Sequence, residues 1–161
     1  MILRTYTPSD WPRLCEIHDQ ARLIELHGAG LLSAFLTLEQ TAQNEGLFDG
    51  DLIVAEAEGL VLGFAAFSEG ELTWLYVDPQ HQRKGVGKAL IRHVIAACQG
   101  EVETEVLVGN DGALALYLGE GFQVISRTDG KLAGNERFAA SGYTLRWTNP
   151  DSAQTTGSQP Q

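Results

Sequence analysis

The sequence predicts a single-domain α/β (α+β) fold, in which helices flank a mixed, mostly antiparallel sheet with one parallel pair of central strands. Three observations predict it. The chain has 161 residues, enough for one domain with a real core but not comfortably for two. Three β-favouring segments between Leu52 and Val77 are separated by short turns, the pattern of an antiparallel meander. A helical segment then divides Glu71–Val77 from Glu101–Val108, and strands joined through a helix run parallel by a crossover.

In chain order, Ile2–Tyr6 reads as a short strand and Thr7-Pro8-Ser9-Asp10 as a turn, with Ser9 or Asp10 capping a helix. That helix is expected over Trp11–Gln20, with Leu14, Ile17 and Ala21 on one face. His27-Gly28-Ala29-Gly30 breaks the pattern, and Leu31–Asn44 resumes helical spacing through Leu32, Phe35, Leu36 and Leu38. Phe48–Asp51 is a turn. Leu52–Glu56 and Val61–Phe67 are strands about a hairpin at Gly59, and Gly63 marks a bulge or a close backbone approach.

Glu69-Gly70 turns into Glu71–Val77, a short strand rich in aromatic and β-favouring residues. Asp78-Pro79 ends it, because proline cannot donate to a ladder. Gln82–Gly87 leads into a helix over Lys88–Cys98, where Leu90, Ile91, Val94 and Ile95 recur at helical spacing. Gln99-Gly100 stops that helix. In Glu101–Val108, valines and Thr104 alternate with Glu101, Glu103 and Glu105. No histidine accompanies those carboxylates, so they read as a solvated face rather than a metal site. Asn110 or Asp111 caps a short helix that Gly119 and Gly121 end. Val124–Arg127 and Gly142–Trp147 are the last strands, on either side of a polar loop over Thr128–Ala140. The domain is expected over residues 1–148, with residues 149–161 a disordered tail lacking any apolar period.

The strand–glycine loop–helix unit carries chemistry. The first amides of a helix have no partner inside it, and the helix dipole places partial positive charge there. Glycines let a ligand approach the backbone, so the unit suits a phosphate or pyrophosphate. Arg83, Lys84, Lys88 and Arg92 fall close together, and no acid lies between Pro79 and Gly100 in a chain of net charge −10. A Walker loop is excluded, since Gln82 stands where its first glycine belongs and Ala89 where its hydroxyl belongs. A dinucleotide fingerprint fails at Leu90, where a third glycine is needed.

The run Val77-Asp78-Pro79 followed by Gln82-Arg83-Lys84-Gly85-Val86-Gly87 resembles the acetyl-CoA loop of the GNAT superfamily of N-acetyltransferases. A second stretch, Asn110, Ala113, Leu116, Tyr117, Gly121 and Phe122, matches that family's other signature at the right spacing. The opening Ile2–Leu14 resembles it loosely. The resemblance implies a GNAT-like sheet whose parallel central strands splay apart, leaving a slot for the pantetheine arm. It implies acetyl-CoA as co-substrate, with no metal. Backbone amides of Tyr76 and Val77 would polarise the thioester. Gln82, Arg83, Lys84, Gly85, Val86, Gly87 and Lys88 would hold the pyrophosphate, and Asn110 belongs to the same cofactor site. Tyr117 is the candidate general acid, because a phenol can donate to a departing thiolate. Glu71 is the candidate base, at the position of the catalytic carboxylate in the histone-acetylating branch. Strand alternation groups it with Thr73, Leu75 and Val77. An ordered water relayed by Glu69 or Glu103 is the alternative. The family's acceptor pocket lies beside residues 21–48. Glu25, His27 and Phe35 could line it, but Phe35 reads more simply as core and the other two as solvated.

The expected activity is direct acetyl transfer from acetyl-CoA to a primary amine of a small molecule or peptide. The alternative is a non-catalytic acyl-CoA-binding or regulatory module on the same fold. The acidic balance speaks against a nucleic-acid binder and weakly favours a cationic or neutral acceptor. No apolar run approaches a membrane span, and Met1–Tyr6 lacks the apolar region of a signal peptide, so the expectation is a cytoplasmic protein without a membrane partner. Cys15 and Cys98, far apart and without metal spacing, read as free buried thiols. A homodimer is compatible with the resemblance.

Overall fold

A computed structural model describes residues 1–153. A seven-stranded sheet runs in the order β1-β2-β3-β4-β5-β7-β6. Its strands are β1 (Ile2–Thr5), β2 (Asp51–Ala57), β3 (Leu60–Ser68), β4 (Glu71–Val77), β5 (Glu101–Leu107), β6 (Gln123–Lys131) and β7 (Ala139–Thr148). All neighbours are antiparallel except β4 and β5, which are parallel. The helices are α1 (Trp11–Gly28), α2 (Leu38–Thr41), α3 (Val86–Cys98) and α4 (Asp111–Gly119).

Each face of the sheet has its own core. On one, Leu90, Ile91 and Val94 of α3 pack against Ile53, Ala65, Leu72, Val102 and Leu145. On the other, Leu14 and Ile17 of α1 pack against Leu52, Val54, Phe64, Ala66 and Trp74. The two-sided burial explains why β3 reads as a continuous apolar run rather than an alternation.

The parallel pair separates almost at once. A single register pair, Glu71↔Glu103, joins β4 to β5 among the described residues. Glu103 N donates to Gly70 O at 2.8 Å and the Thr104 hydroxyl to Leu72 O at 2.9 Å. Beyond that point the strands diverge toward Val77 and Leu107, and the expected slot lies between them.

Several expectations need correction. α1 continues to Gly28, well past Gln20, because tertiary packing holds its last turns: Leu26 is fully buried in a small cluster with Ala34 and Leu132. Leu31–Asn44 is not one helix. Leu32–Ala34 is a 3-10 turn and α2 a single turn capped by Thr37, whose hydroxyl accepts from Gln40 N. The apolar spacing there serves two different clusters, Ala34 and Phe35 in one, Leu38 and Ala42 in the other. Thr128–Ala140 is strand at both ends, since β6 runs to Lys131 and β7 starts at Ala139. The connecting loop buries Leu132, and Asn135 Nδ2 donates to Ala34 O at 3.0 Å.

β4 also bulges. Ala66 pairs with Trp74 but Phe67 with Leu72, so Thr73 is the extra residue. The bulge breaks the expected alternation. Leu72 joins Leu75 and Val77 in the α3-side core, Trp74 and Tyr76 lie in the α1-side core, and Glu71 no longer shares a face with Leu75 and Val77. β3 bulges likewise beside Gly63, where a Cβ would come within 2.9 Å of Tyr76 O. Cys15 and Cys98 are free but only half-buried. Pro150–Ala153 forms a 3-10 turn, and the expectation for residues 154–161 lies outside the described residues. Among the described residues no helix is long and apolar enough to cross a membrane.

The start of α1 is tied to the sheet by ions. Asp10, 7% exposed, accepts from both terminal nitrogens of Arg4 and from Thr7 N, each at 2.9 Å. The Arg4 guanidinium holds the Asp10 carboxyl down at about 2. A carboxyl depressed on folding stabilises the fold above its ordinary pKa, and the contribution is lost as pH falls through the depressed value. Replacing Asp10→Asn should therefore cost about 1–3 kcal/mol at neutral pH, read as urea unfolding midpoints. The two unfolding curves should converge as pH approaches about 2. Equal midpoints at neutral pH would show that the network contributes no net stability.

Candidate active site

The loop after β4 is built around a buried carboxylate. Asp78 caps the 3-10 turn Pro79–His81 and accepts from Gln80 N at 2.9 Å. It also pairs with the Arg13 guanidinium of α1, whose Nε donates to Val61 O at 2.8 Å. Gln82, Arg83, Lys84 and Gly85 are exposed. Gly85 caps α3 with φ +81°, and the bond from Ala89 N to Gly85 O at 3.0 Å leaves the amides of Val86, Gly87 and Lys88 ahead of it. Arg83 and Lys84 are in no ion pair among the described residues. Lys88 and Arg92 both reach Glu120, at 3.8 and 2.8 Å, so part of the basic island is neutralised by the residue that follows α4.

At the end of β4, Asp78 N donates to Leu62 O at 2.8 Å. Strand alternation then turns Tyr76 N–H toward β3 and Val77 N–H toward the opened slot. Of the two amides the sequence offers, Val77's faces the gap, and Tyr76 contributes its ring.

A cleft of about 470 Å³ occupies the α1 side of the slot. His18, Arg22 and Glu25 of α1, Trp74 and Tyr76 of β4, Thr104 of β5, Asn110 and Tyr117 all line it. Tyr117 is 4% exposed and meets Phe122 edge-on at 5.2 Å. Burial pushes its pKa up; contact with the Thr104 hydroxyl opposes this and the charge of Glu25 adds to it. The phenol is therefore protonated at neutral pH, the state an acid needs. Burial, aided by Glu25, raises Tyr76 in the same way.

Glu25 joins three elements. It pairs with Arg22, accepts from Asn110 Nδ2 at 2.8 Å, and lies 3.5 Å from the Tyr76 hydroxyl. Asn110 meanwhile caps α4, its Oδ1 accepting from Ala113 N at 3.4 Å. Both ends of the Asn110 side chain are thus engaged within the protein. The solvated expectation for Glu25 is overturned, whereas His27 is exposed and Phe35 packs with Leu26 and Leu132. Glu71 is exposed at the head of β4, outside the cleft lining. Glu103 is held by Arg146 and Glu69 lies in the turn before β4. His18, Arg22, Trp74 and Thr104 escaped the sequence reading. The spacing of His18, Arg22 and Glu25 along one helix face would have found the α1 trio, had α1 been carried past Gln20.

Fold and site together give two parted strands, with a glycine loop at the head of α3 and a cleft lined by Glu25 and Tyr117 on the α1 side. The family profile described as "Acetyltransferase (GNAT) domain" matches residues 48–124. The chain is 33% identical over 108 residues to N-alpha-acetyltransferase RimI of Mycobacterium tuberculosis, covering 60% of this chain and 65% of that protein. It spans less than two thirds of the curated relatives it matches. Among solved structures, ribosomal-protein-alanine N-acetyltransferase from Brucella melitensis superposes with a TM-score of 0.70 at 22% identity, over 92% of this chain and 100% of that one. The Salmonella typhimurium protein yncA, solved with acetyl-CoA, gives 0.66 at 21% identity over 92% and 93%. These likenesses confirm the fold. The profile match and the N-acetyltransferase relatives support membership of the GNAT superfamily.

One contact sets the seat of α1. Gly109, at φ +104°, lies so close to the helix end that a Cβ there would come within 2.7 Å of Gly28 O and 2.8 Å of the Ala29 Cα. Gly109→Ala should therefore lower unfolding free energy by about 2 kcal/mol or more, measured by urea denaturation. A loss below about 0.5 kcal/mol, the scatter of an ordinary surface change, would show that α1 tolerates displacement here.

Proposed function

We propose that this chain is an acetyl-CoA-dependent N-acetyltransferase acting on a primary amine of a small molecule or peptide by direct attack. The observation that carries the proposal is the opened slot, with Val77 N–H on one wall and the protonated Tyr117 lining the cleft beyond. It leads from the glycine loop on the α3 side to the aromatic and carboxylate cleft on the α1 side. The name of the mycobacterial relative, an N-alpha-acetyltransferase, favours a peptide α-amine as acceptor.

Each residue has a defined task. The amides of Val86, Gly87 and Lys88, with Arg83, Lys84 and the Gln82 side chain, hold the diphosphate of coenzyme A. Val77 N–H polarises the thioester carbonyl, because a fixed dipole in a water-poor site costs no reorganisation during the reaction. Tyr117 gives its proton to the departing thiolate. Asn110 orients α4, and with it Tyr117, rather than touching the coenzyme. Glu71, outside the cleft, can act on the amine only through solvent.

Coenzyme A should give saturable heat in calorimetry at modest salt. Tyr117→Phe should lower kcat by about 10²–10⁴-fold, the range for a general acid, while coenzyme A affinity stays within about twofold. Absence of heat from folded protein would refute the proposal. Wild-type turnover in Tyr117→Phe would remove Tyr117 as the acid.

A further inference from the structure

We infer that His18 is the base that takes the acceptor's proton, held for that role by Asp19 and resting on the acetyl-transfer reading above. His18 is 2% exposed and lines the cleft. Its Nδ1 lies 2.8 Å from Asp19 Oδ1. An ionised carboxylate can only accept, so Nδ1 carries the hydrogen and Nε2 keeps its lone pair. Asp19 is itself fixed, since Oδ1 also accepts from Leu38 N at 2.9 Å, at the start of α2. Nε2 has no hydrogen-bond partner among the described residues. Among the described residues no fully buried side-chain nitrogen or oxygen lacks a partner, so Nε2 is the small part of the ring that the cleft leaves open to a ligand or to solvent.

The ring is also well placed. It meets Tyr76 edge-on at 4.8 Å and Trp74 at 6.0 Å. Tyr76 immediately precedes the amide that faces the thioester, so the imidazole stands one side chain from the end of β4. The charged groups around it are Asp19, Arg22 and Glu25 on α1, with the Tyr76 phenol from β4 and Glu45 across the cleft. Burial lowers the His18 pKa, and Asp19 opposes that shift. The imidazole is therefore neutral at pH 7 and able to accept.

The proton count closes. The acceptor ammonium gives one proton to Nε2, which passes it to solvent. The free amine attacks the carbonyl carbon, a C–N bond forms and the C–S bond breaks. The second N–H proton lost on collapse replaces the one Tyr117 delivers to sulfur. The products are the amide, the thiol and one released proton, with no change of oxidation state.

The test is kinetic and spectroscopic. Thiol release is first measured on the wild type with a panel of peptide and small-molecule amines. Turnover is expected, with an acid limb in the kcat–pH profile lying below about 6.5, the ordinary histidine value. His18→Gln should lower kcat about 10²-fold or more, abolish that limb and leave coenzyme A affinity unchanged. His18→Ala should regain turnover on adding imidazole, which a packing role would not allow. Should either variant fail to fold, nitrogen NMR of the wild type decides the matter: the neutral ring must carry its hydrogen on Nδ1. Coenzyme A binding without turnover by the wild type would sink the acetyl-transfer reading and this inference together. An active wild type whose His18→Gln variant keeps kcat and acid limb, or whose His18 carries hydrogen on Nε2, would overturn this inference alone.

Discussion

Backbone amides and carbonyls tolerate burial only when paired, and the parting of β4 from β5 sets that rule against the middle of the sheet. The two strands meet at Glu71↔Glu103 and then leave each other. Val77 N–H is thereby turned toward a space with no neighbouring strand. A sheet normally closes such a gap or covers it with loop. Here the opening is lined with polar groups on one side and reached by a glycine loop on the other.

α1 keeps the gap from closing. Near its start, Arg13 reaches Asp78 at the end of β4. Near its end, Glu25 reaches Asn110 just past β5, and Gly28 lies against Gly109. One helix is thus fastened to both strands beyond the point where they separate, and its His18, Arg22 and Glu25 side chains are carried across the opening. The same fastening links the glycine loop to the cap of α4, so both sides of the slot answer to one rigid element.

How much of this was legible follows from how local each signal is. The glycine loop with its flanking strand and helix, and the run from Asn110 to Phe122, declare themselves within a few residues, and the structure has the expected elements there. The parallel crossover followed from a helix lying between two strands. The segment from Ala21 to Asn44 was opaque because its outcome is set by distant partners: Leu26 is buried by Leu132, and Ala34 is bonded by Asn135. The bulge at Thr73 was equally hidden. One extra residue reversed the side on which Glu71 falls, and no composition or spacing announces it. The cleft residues on α1 depend on both effects, a longer helix and a partner far along the chain.

The small apolar contact of Leu26, Ala34 and Leu132 joins the β6–β7 tip to the segment after α1, beside the cleft. Its two buried leucines contribute about 1.5–3 kcal/mol each, so parting this contact costs less than parting the strands of the sheet. The rim of the cleft can therefore shift at this contact while the separation of β4 and β5 stays as it is.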